Sequence, residues 1–148
     1  MLFQFSLESV RKLRHSQERQ QELLLAKVNQ QVSRLQQQIA DIETRIRRSS
    51  EEERQKLENR VAASELQFDL VCRSLLSQQK CALEKELSSA LTLRDTQREA
   101  FRQARRRREV LDTLRTHQLE LLRREQLRRE QRRADEQFLL RFRLRSSG

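Results

Sequence analysis

The sequence contains no proline, no tryptophan, no tyrosine and a single glycine, Gly148. Sandwiches and barrels need turn residues between many short strands, so this scarcity excludes the common all-β architectures. Glycine-rich phosphate-binding loops are excluded too, because a backbone approaches a phosphate closely only where side chains are absent. No apolar run comes near the roughly 18 residues that a membrane-spanning helix requires.

Cysteine and histidine, which often form catalytic and metal sites, are equally scarce. Cys72 and Cys81 fall on opposite sides of a helix and cannot form a disulfide within it, so we interpret them as small apolar side chains. His15 and His117 are the only histidines, and a hairpin register places them too far apart to share a metal. We therefore expect no enzyme, cofactor or metal site. The N-terminus lacks a secretory signal pattern, so we expect a cytoplasmic protein.

What the sequence does contain is charge and helix-forming residues. Its 148 residues are 36% charged and 35% hydrophobic, with a net charge of +10 and 27 Arg against 5 Lys. Ala, Glu, Lys, Leu and Arg make up over half of the chain, which is typical of long helices and coiled coils. The basic surplus suits nucleic acid, an anionic membrane or an acidic protein surface, and composition does not choose among them.

Apolar residues in the first third follow a heptad pattern. Their spacing alternates between four and three, as in the a and d positions of a coiled coil: Val28, Val32, Leu35, Ile39, Ile42 and Ile46. We expect Val10 and Leu13 to extend this stripe. The second half is less regular, with Leu66, Leu70, Leu76, Leu83, Leu87, Phe101, Ala104, Leu111, Leu114, Leu121 and Leu122. Arg73, Arg94 and Arg108 interrupt it, and their aliphatic stems are expected to cover the seam.

The pattern predicts an all-α fold, two long helices forming an antiparallel coiled-coil hairpin with the C-terminal helix longer. Two stretches resemble a helix start, around Ser50 and around Ser64, and we favour the second as the turn. This gives one hairpin domain over 1–148, with helix 1 about 4–58, a turn about 59–64 and helix 2 about 65–143. Leu2 would then face roughly Leu122.

Beyond Leu122 the second helix is expected to extend without a partner. Leu127, Ala134, Phe138 and Phe142 share one face at helical spacing, and such a face favours docking into a protein groove over a solvated, fraying tail. Nucleic-acid binding is the weaker form of docking here, because Glu interrupts the Arg clusters and Arg105–Arg108 covers a full helical turn.

The opening pattern Phe3-x-Phe5-x-Leu7-x-x-Val10-x-x-Leu13-Arg14, followed by a Gln- and Glu-rich helix, resembles the start of the flagellar export protein FliJ family. The stretch 107–142, RREVLDTLRTHQLELLRREQLRREQRRADEQFLLRF, resembles the C-terminal helix of that family. The length, the composition and the AASELQF turn are similar as well. The likeness spans nearly the whole chain.

The resemblance implies a stalk-like helical hairpin of the flagellar type III export apparatus, cytoplasmic and peripheral to the inner membrane at the flagellar base. It implies three partners: the export ATPase ring, the cytoplasmic part of the export gate, and export chaperones. It assigns the gate contact to Gln38, Ile42 and Leu76; the family can carry aromatics one and two turns after Ile42, where this chain has Arg45 and Ser49.

We hypothesise that the ATPase ring is contacted by exposed residues of the overhang: Arg123, Arg124, Leu127, Arg128, Phe138 and Phe142. Three alternatives remain open at this point. The related stalk of a virulence-type secretion system is a near variant, and a nucleic-acid-binding coiled coil or a self-associating structural coiled coil would share the same composition.

Overall fold

The structure is a computed structural model that describes residues 3–147. Two helices account for nearly all of it: α1 spans Glu8–Glu58 and α2 spans Ala63–Ser146. No strand occurs between residues 3 and 147. The predicted all-α hairpin with a longer C-terminal helix is confirmed. The expected pairing of Leu2 with Leu122 involves a residue outside the described range.

The chain divides into two units. Unit 1 combines Met1–Glu18 with Gln103–Gly148, and unit 2 is Arg19–Arg102. Within each unit a segment of α1 pairs with a segment of α2 in the antiparallel sense. In unit 2, Lys56 pairs with Asp69 near the turn, whereas Glu43 pairs with Lys80 further from it.

The apolar seam of unit 2 supplies most of the buried side chains. Val32, Leu35 and Ala90 form its buried cluster, and α2 packs three half-buried leucines against it: Leu83, Leu87 and Leu91. Ile39 and Ile42 are buried as well. The predicted heptad stripe of α1 is therefore confirmed in this unit, because its β-branched and leucine side chains fill the a and d positions facing α2.

In unit 1 the expected continuation of the stripe is wrong. Val10 and Leu13 are exposed, and the half-buried positions facing α2 are Arg11, Arg14 and Glu18. The three- and four-residue rhythm does continue, but charged side chains occupy it. Val10 and Leu13 each lie one position off this spacing and so point about 100° away from the seam, which is why a search for apolar residues misplaced the contact face.

The irregular α2 pattern also needs correction. Leu70, Leu114 and Leu121 are exposed and lie off the seam. In contrast, Arg73, Arg94 and Arg108 are half-buried, as expected of side chains that lie at the seam. The seam of α2 thus depends on arginine at positions where a simpler coiled coil would have leucine.

The connection between the helices occupies residues 59–62. Arg60 has a positive φ of 50°, and the Val61 N–H donates to the Lys56 carbonyl at 3.3 Å. This is the 6→1 bond of a Schellman cap, which satisfies a carbonyl at the end of α1 without glycine. Ser50 lies inside α1, and Ser64 lies in the first turn of α2, since the helix begins at Ala63.

Candidate partner-binding surfaces

A cluster of ion pairs joins the two helices of unit 1. The Arg108 guanidinium contacts the Glu18 carboxylate through two bonds, Nε to Oε2 at 2.6 Å and Nη2 to Oε1 at 3.1 Å. Its remaining Nη1 donates to Asp112 Oδ2 at 3.1 Å, one turn further along α2. The geometry is the bidentate form that makes Arg–carboxylate pairs stronger than single contacts.

Asp112 is the acceptor at the centre of this cluster. Arg11 Nε donates to its Oδ1 at 2.9 Å, and His15 Nε2 lies 3.0 Å from the same oxygen. Burial by itself would raise the pKa of Asp112, but the hydrogen bonds from His15, Arg108 and Arg11 outweigh it and lower that pKa. The hydrogen bond from Arg108 likewise lowers the pKa of Glu18. Both carboxylates are therefore held in the charged form.

The cluster continues toward the first residues of the described chain. The Arg115 guanidinium carbon lies 5.8 Å from the centroid of the Phe3 ring, and Arg115 Nε is 3.8 Å from Glu8 Oε2. Phe5 is buried. The contact between the Arg115 cation and the Phe3 ring attaches the N-terminal segment to α2.

α2 continues past this cluster without cover. Leu122 is the last half-buried residue, and every residue from Arg123 to Ser147, hereafter the tail, is exposed. The tail displays several large apolar side chains: Leu127, Phe138, Leu139, Leu140, Phe142 and Leu144. Isolated exposed leucines are ordinary on a protein surface, whereas this concentration on one uncovered helix makes the tail a candidate docking surface.

All six residues assigned to the ATPase contact lie in the tail. At 100° per residue, Leu127, Phe138 and Phe142 fall within about 60° of one another, so they form one apolar line. Arg123 and Arg124 precede that line, and Arg129 is held by Glu125 at 2.8 Å. The tail therefore combines an apolar line with surrounding arginines, one of which, Arg129, is paired with a carboxylate of the tail itself.

In unit 2 the two α1 residues assigned to the gate contact lie at one shallow groove. Gln38 and Ile42 line it from α1, together with Asp41, Arg45, Gln79 and Leu83. Ile42 is 5% exposed, so it belongs to the floor of the groove, whereas Gln38 is exposed. Leu76 is half-buried and is not part of that lining.

Residues 3–147 contain no cluster of three or more His, Cys, Asp or Glu side chains arranged to hold a metal ion. Cys72 and Cys81 are not in a disulfide. Within the same residues, neither helix has a stretch apolar and long enough to cross a bilayer.

A family model described as "Flagellar FliJ protein" matches residues 3–147. The chain belongs to the flagellar FliJ family. Comparison with curated proteins and with solved structures gave no significant match. Membership implies that the chain is a component of the flagellar export system.

Within this FliJ-family chain, the sequence reasoning missed the Asp112 cluster. His15 is exposed, and its Nε2 contacts a carboxylate of the other helix, a partner that the sequence does not indicate. The available signal was the unbroken three- and four-residue spacing of Glu8, Arg11, Arg14 and Glu18, which continues the seam with charged residues. A search for apolar periodicity alone cannot detect such a seam.

Proposed function

We propose that this FliJ-family chain is a non-enzymatic, stalk-like coiled coil that binds the ring of the flagellar export ATPase through its tail. The observation that carries the proposal is the exposure of every tail residue, including Phe138 and Phe142. An exposed apolar line on a helix is stabilised when it packs into a protein groove. The basic surround favours a partner whose groove has an acidic rim.

The second proposed contact joins unit 2 to the cytoplasmic part of the export gate. Its support is the groove that Gln38 and Ile42 line, since an exposed amide beside an apolar floor suits a partner side chain with a polar end. Leu76 would contribute from α2 outside the groove. Export chaperones are the third proposed partner class. These contacts would keep a cytoplasmic protein peripherally at the inner membrane, with no nucleic acid involved.

The ATPase contact is tested with purified full-length chain and purified export ATPase. We expect the double substitution Phe138→Ala and Phe142→Ala to weaken binding at least about tenfold, because buried aromatic anchors dominate most interfaces. Stimulation of ATP hydrolysis should fall with binding. The matched control is Phe68→Ala in unit 2, since Phe68 and Phe138 are equally exposed at 68%.

Two results would contradict the assignment of the ATPase contact to the tail. If the double variant binds and stimulates the ATPase like the parent chain, the tail is not the docking element. If Phe68→Ala weakens binding as much as the double variant, exposure of any aromatic accounts for the effect, and the assignment of the tail fails.

The gate contact is tested separately, by titrating the cytoplasmic part of the gate protein with Gln38→Ala. Gln31→Ala is the control, because Gln31 is an exposed glutamine of the same helix outside the groove. We expect Gln38→Ala to bind the gate protein several-fold more weakly than the parent chain, and Gln31→Ala to bind it as the parent chain does. The Phe138/Phe142 variant should bind the gate normally, and a loss there would contradict two separate contacts.

A further inference from the structure

α1 carries a basic face in unit 2 that takes no part in the seam. Lys27, Gln30, Gln31 and Arg34, hereafter the basic strip, line one shallow depression on the surface of α1. All four side chains are exposed. Residues three, four and seven apart lie on the same side of a helix, so the basic strip forms a single face over two turns.

The basic strip points away from the other helix. Val28, Val32 and Leu35 are the seam residues of the same segment, and at 100° per residue their centre lies about 120° from the centre of the basic strip. Packing between the two helices of unit 2 therefore leaves the basic strip uncovered.

The segment that carries the basic strip has no carboxylate of its own. The 18 residues between Glu22 and Asp41 are the longest stretch of the chain without Asp or Glu. Within residues 3–147, neither cation of the basic strip takes part in an ion pair. Three other cations of unit 2 do pair with carboxylates: Lys56, Arg73 and Lys80. The two charges of the basic strip are thus available to carboxylates of another molecule.

The spacing around the basic strip narrows the shape of that molecule. Leu24 lies one turn before Lys27 and is 45% exposed. Leu24, Lys27, Gln31 and Arg34 follow steps of three, four and three, which is the spacing of a coiled-coil contact face. A helix lying alongside α1 presents side chains seven residues apart on one face, about 10.5 Å along its axis, and Lys27 and Arg34 are separated by the same length.

We propose that the basic strip binds an acidic amphipathic helix of a partner protein, one that presents two carboxylates seven residues apart with an apolar side chain next to them. The carboxylates pair with Lys27 and Arg34, the amide groups of Gln30 and Gln31 donate further hydrogen bonds to them, and the apolar side chain packs on Leu24. Single-stranded nucleic acid is a poorer match, because its sites combine cations with aromatic rings and the basic strip has none.

The first experiment titrates the full-length chain into a fluorescently labelled synthetic peptide and follows the anisotropy at low ionic strength, where exposed ion pairs are least screened. The peptide is a helix with two glutamates seven residues apart and a leucine three residues outside each glutamate, so that either direction can bind. We expect Lys27→Glu combined with Arg34→Glu to weaken binding at least about tenfold, because two attractions become two repulsions.

The matched control is Arg47→Glu combined with Arg54→Glu. Arg47 and Arg54 are exposed residues of the same helix at the same seven-residue spacing, but Glu51 occupies the position between them that Gln31 has in the basic strip. Each double variant replaces two cations by two carboxylates and lowers the net charge from +10 to +6. The control should bind the peptide within about twofold of the parent chain, and circular dichroism should show unchanged helix content in both variants.

The second experiment tests the spacing and the sign of the charges. A peptide of the same composition with its glutamates five residues apart should bind much more weakly, since those side chains lie about 140° apart around the helix. A peptide with lysines in place of both glutamates should bind the Lys27→Glu and Arg34→Glu variant more tightly than it binds the parent chain, because the charges are exchanged.

Several outcomes would overturn the proposal. Equal weakening by the two double variants would mean that net charge alone attracts the peptide, and equal binding of the two glutamate peptides would rule out the heptad match. If the Lys27 and Arg34 variant loses binding to a labelled single-stranded RNA or to vesicles of anionic phospholipid while it still binds the peptide, the basic strip serves that ligand instead.

The proposal does not rest on the proposed function. Gln38→Ala and the Phe138/Phe142 double variant should both bind the peptide as the parent chain does, since neither change touches the basic strip. A loss of peptide binding in either variant would place the contact outside the basic strip and contradict the proposal, whatever the outcome of the gate and ATPase experiments.

Discussion

Arg108 and Glu18 form a bidentate ion pair across the two helices of unit 1, with Arg108 Nε 2.6 Å from Glu18 Oε2. Both side chains are largely shielded, at 22% and 17% exposed. The pair occupies seam positions where a leucine would otherwise pack. The bidentate geometry fixes the relative orientation of the two side chains as well as stabilising them. The reason is that a planar guanidinium can donate two bonds to a carboxylate in only a few orientations.

Removing this arginine should destabilise the hairpin. We expect Arg108→Ala to lower the free energy of unfolding by about 1–2 kcal/mol, since Glu18 and Asp112 both lose a charged donor at a partly exposed site. Chemical denaturation monitored by circular dichroism measures the change. Arg107→Ala, an exposed neighbour, is the control and should fall within about 0.5 kcal/mol of the parent. Equal effects for the two variants would contradict a specific role for the pair.

Stability should decrease in acid because of the same cluster. The pKa values of Glu18 and Asp112 lie below their ordinary values of 4.5 and 3.8. A carboxylate with a lowered folded-state pKa stabilises the fold fully above its unfolded pKa, and this contribution is lost as the pH falls through the folded value. We therefore expect the contribution of both groups to be complete at pH 6 and to decline below about pH 4.5.

The measurement is the free energy of unfolding as a function of pH, for the parent and for Glu18→Gln combined with Asp112→Asn. The double variant should show a shallower decline between about pH 4.5 and 2.5, since two of the linked carboxylates are absent. Identical slopes would mean that other carboxylates account for the acid sensitivity.

The turn offers a stabilising substitution. Arg60 has a φ of 50°, a conformation that costs a residue with a Cβ atom roughly 1 kcal/mol more than glycine. Arg60→Gly should raise the free energy of unfolding by about 0.5–1 kcal/mol, partly offset by the greater freedom of glycine in the unfolded chain. Arg54→Gly inside α1 is the matched control and should destabilise by about 1 kcal/mol. A loss of stability in both variants would contradict the left-handed cap.

The apolar seam of unit 2 should be the region most sensitive to truncation. Leu35 is 4% exposed and packs in the buried cluster, so Leu35→Ala should lower the free energy of unfolding by about 2–4 kcal/mol. Leu23→Ala removes the same atoms from an exposed position of the same helix and should cost less than about 1 kcal/mol. Thermal or chemical unfolding compares the two. Similar losses would place the stabilising contacts elsewhere.

Some contacts could be predicted from periodicity and others could not. The stripe from Val28 to Ile46 was recognisable because apolar side chains fill successive a and d positions, and burial confirms it. Val10 and Leu13 misled the same reasoning, since they are apolar but exposed. The pairing of His15 with Asp112 joins residues far apart in sequence, and no local pattern specifies such a partner.

The sequence by itself determined the fold class, since a chain without proline and with one terminal glycine has few ways to form anything but long helices. It also determined the unit 2 seam on α1, because heptad spacing fixes which face is buried. Only the tertiary structure decided which charged residues replace that seam in unit 1, and which apolar residues stay exposed on α2. The physical reason is that both an ion pair between helices and the exposure of an apolar side chain depend on which residue lies opposite on the other helix. The register of the two helices sets that residue, and local periodicity does not specify the register.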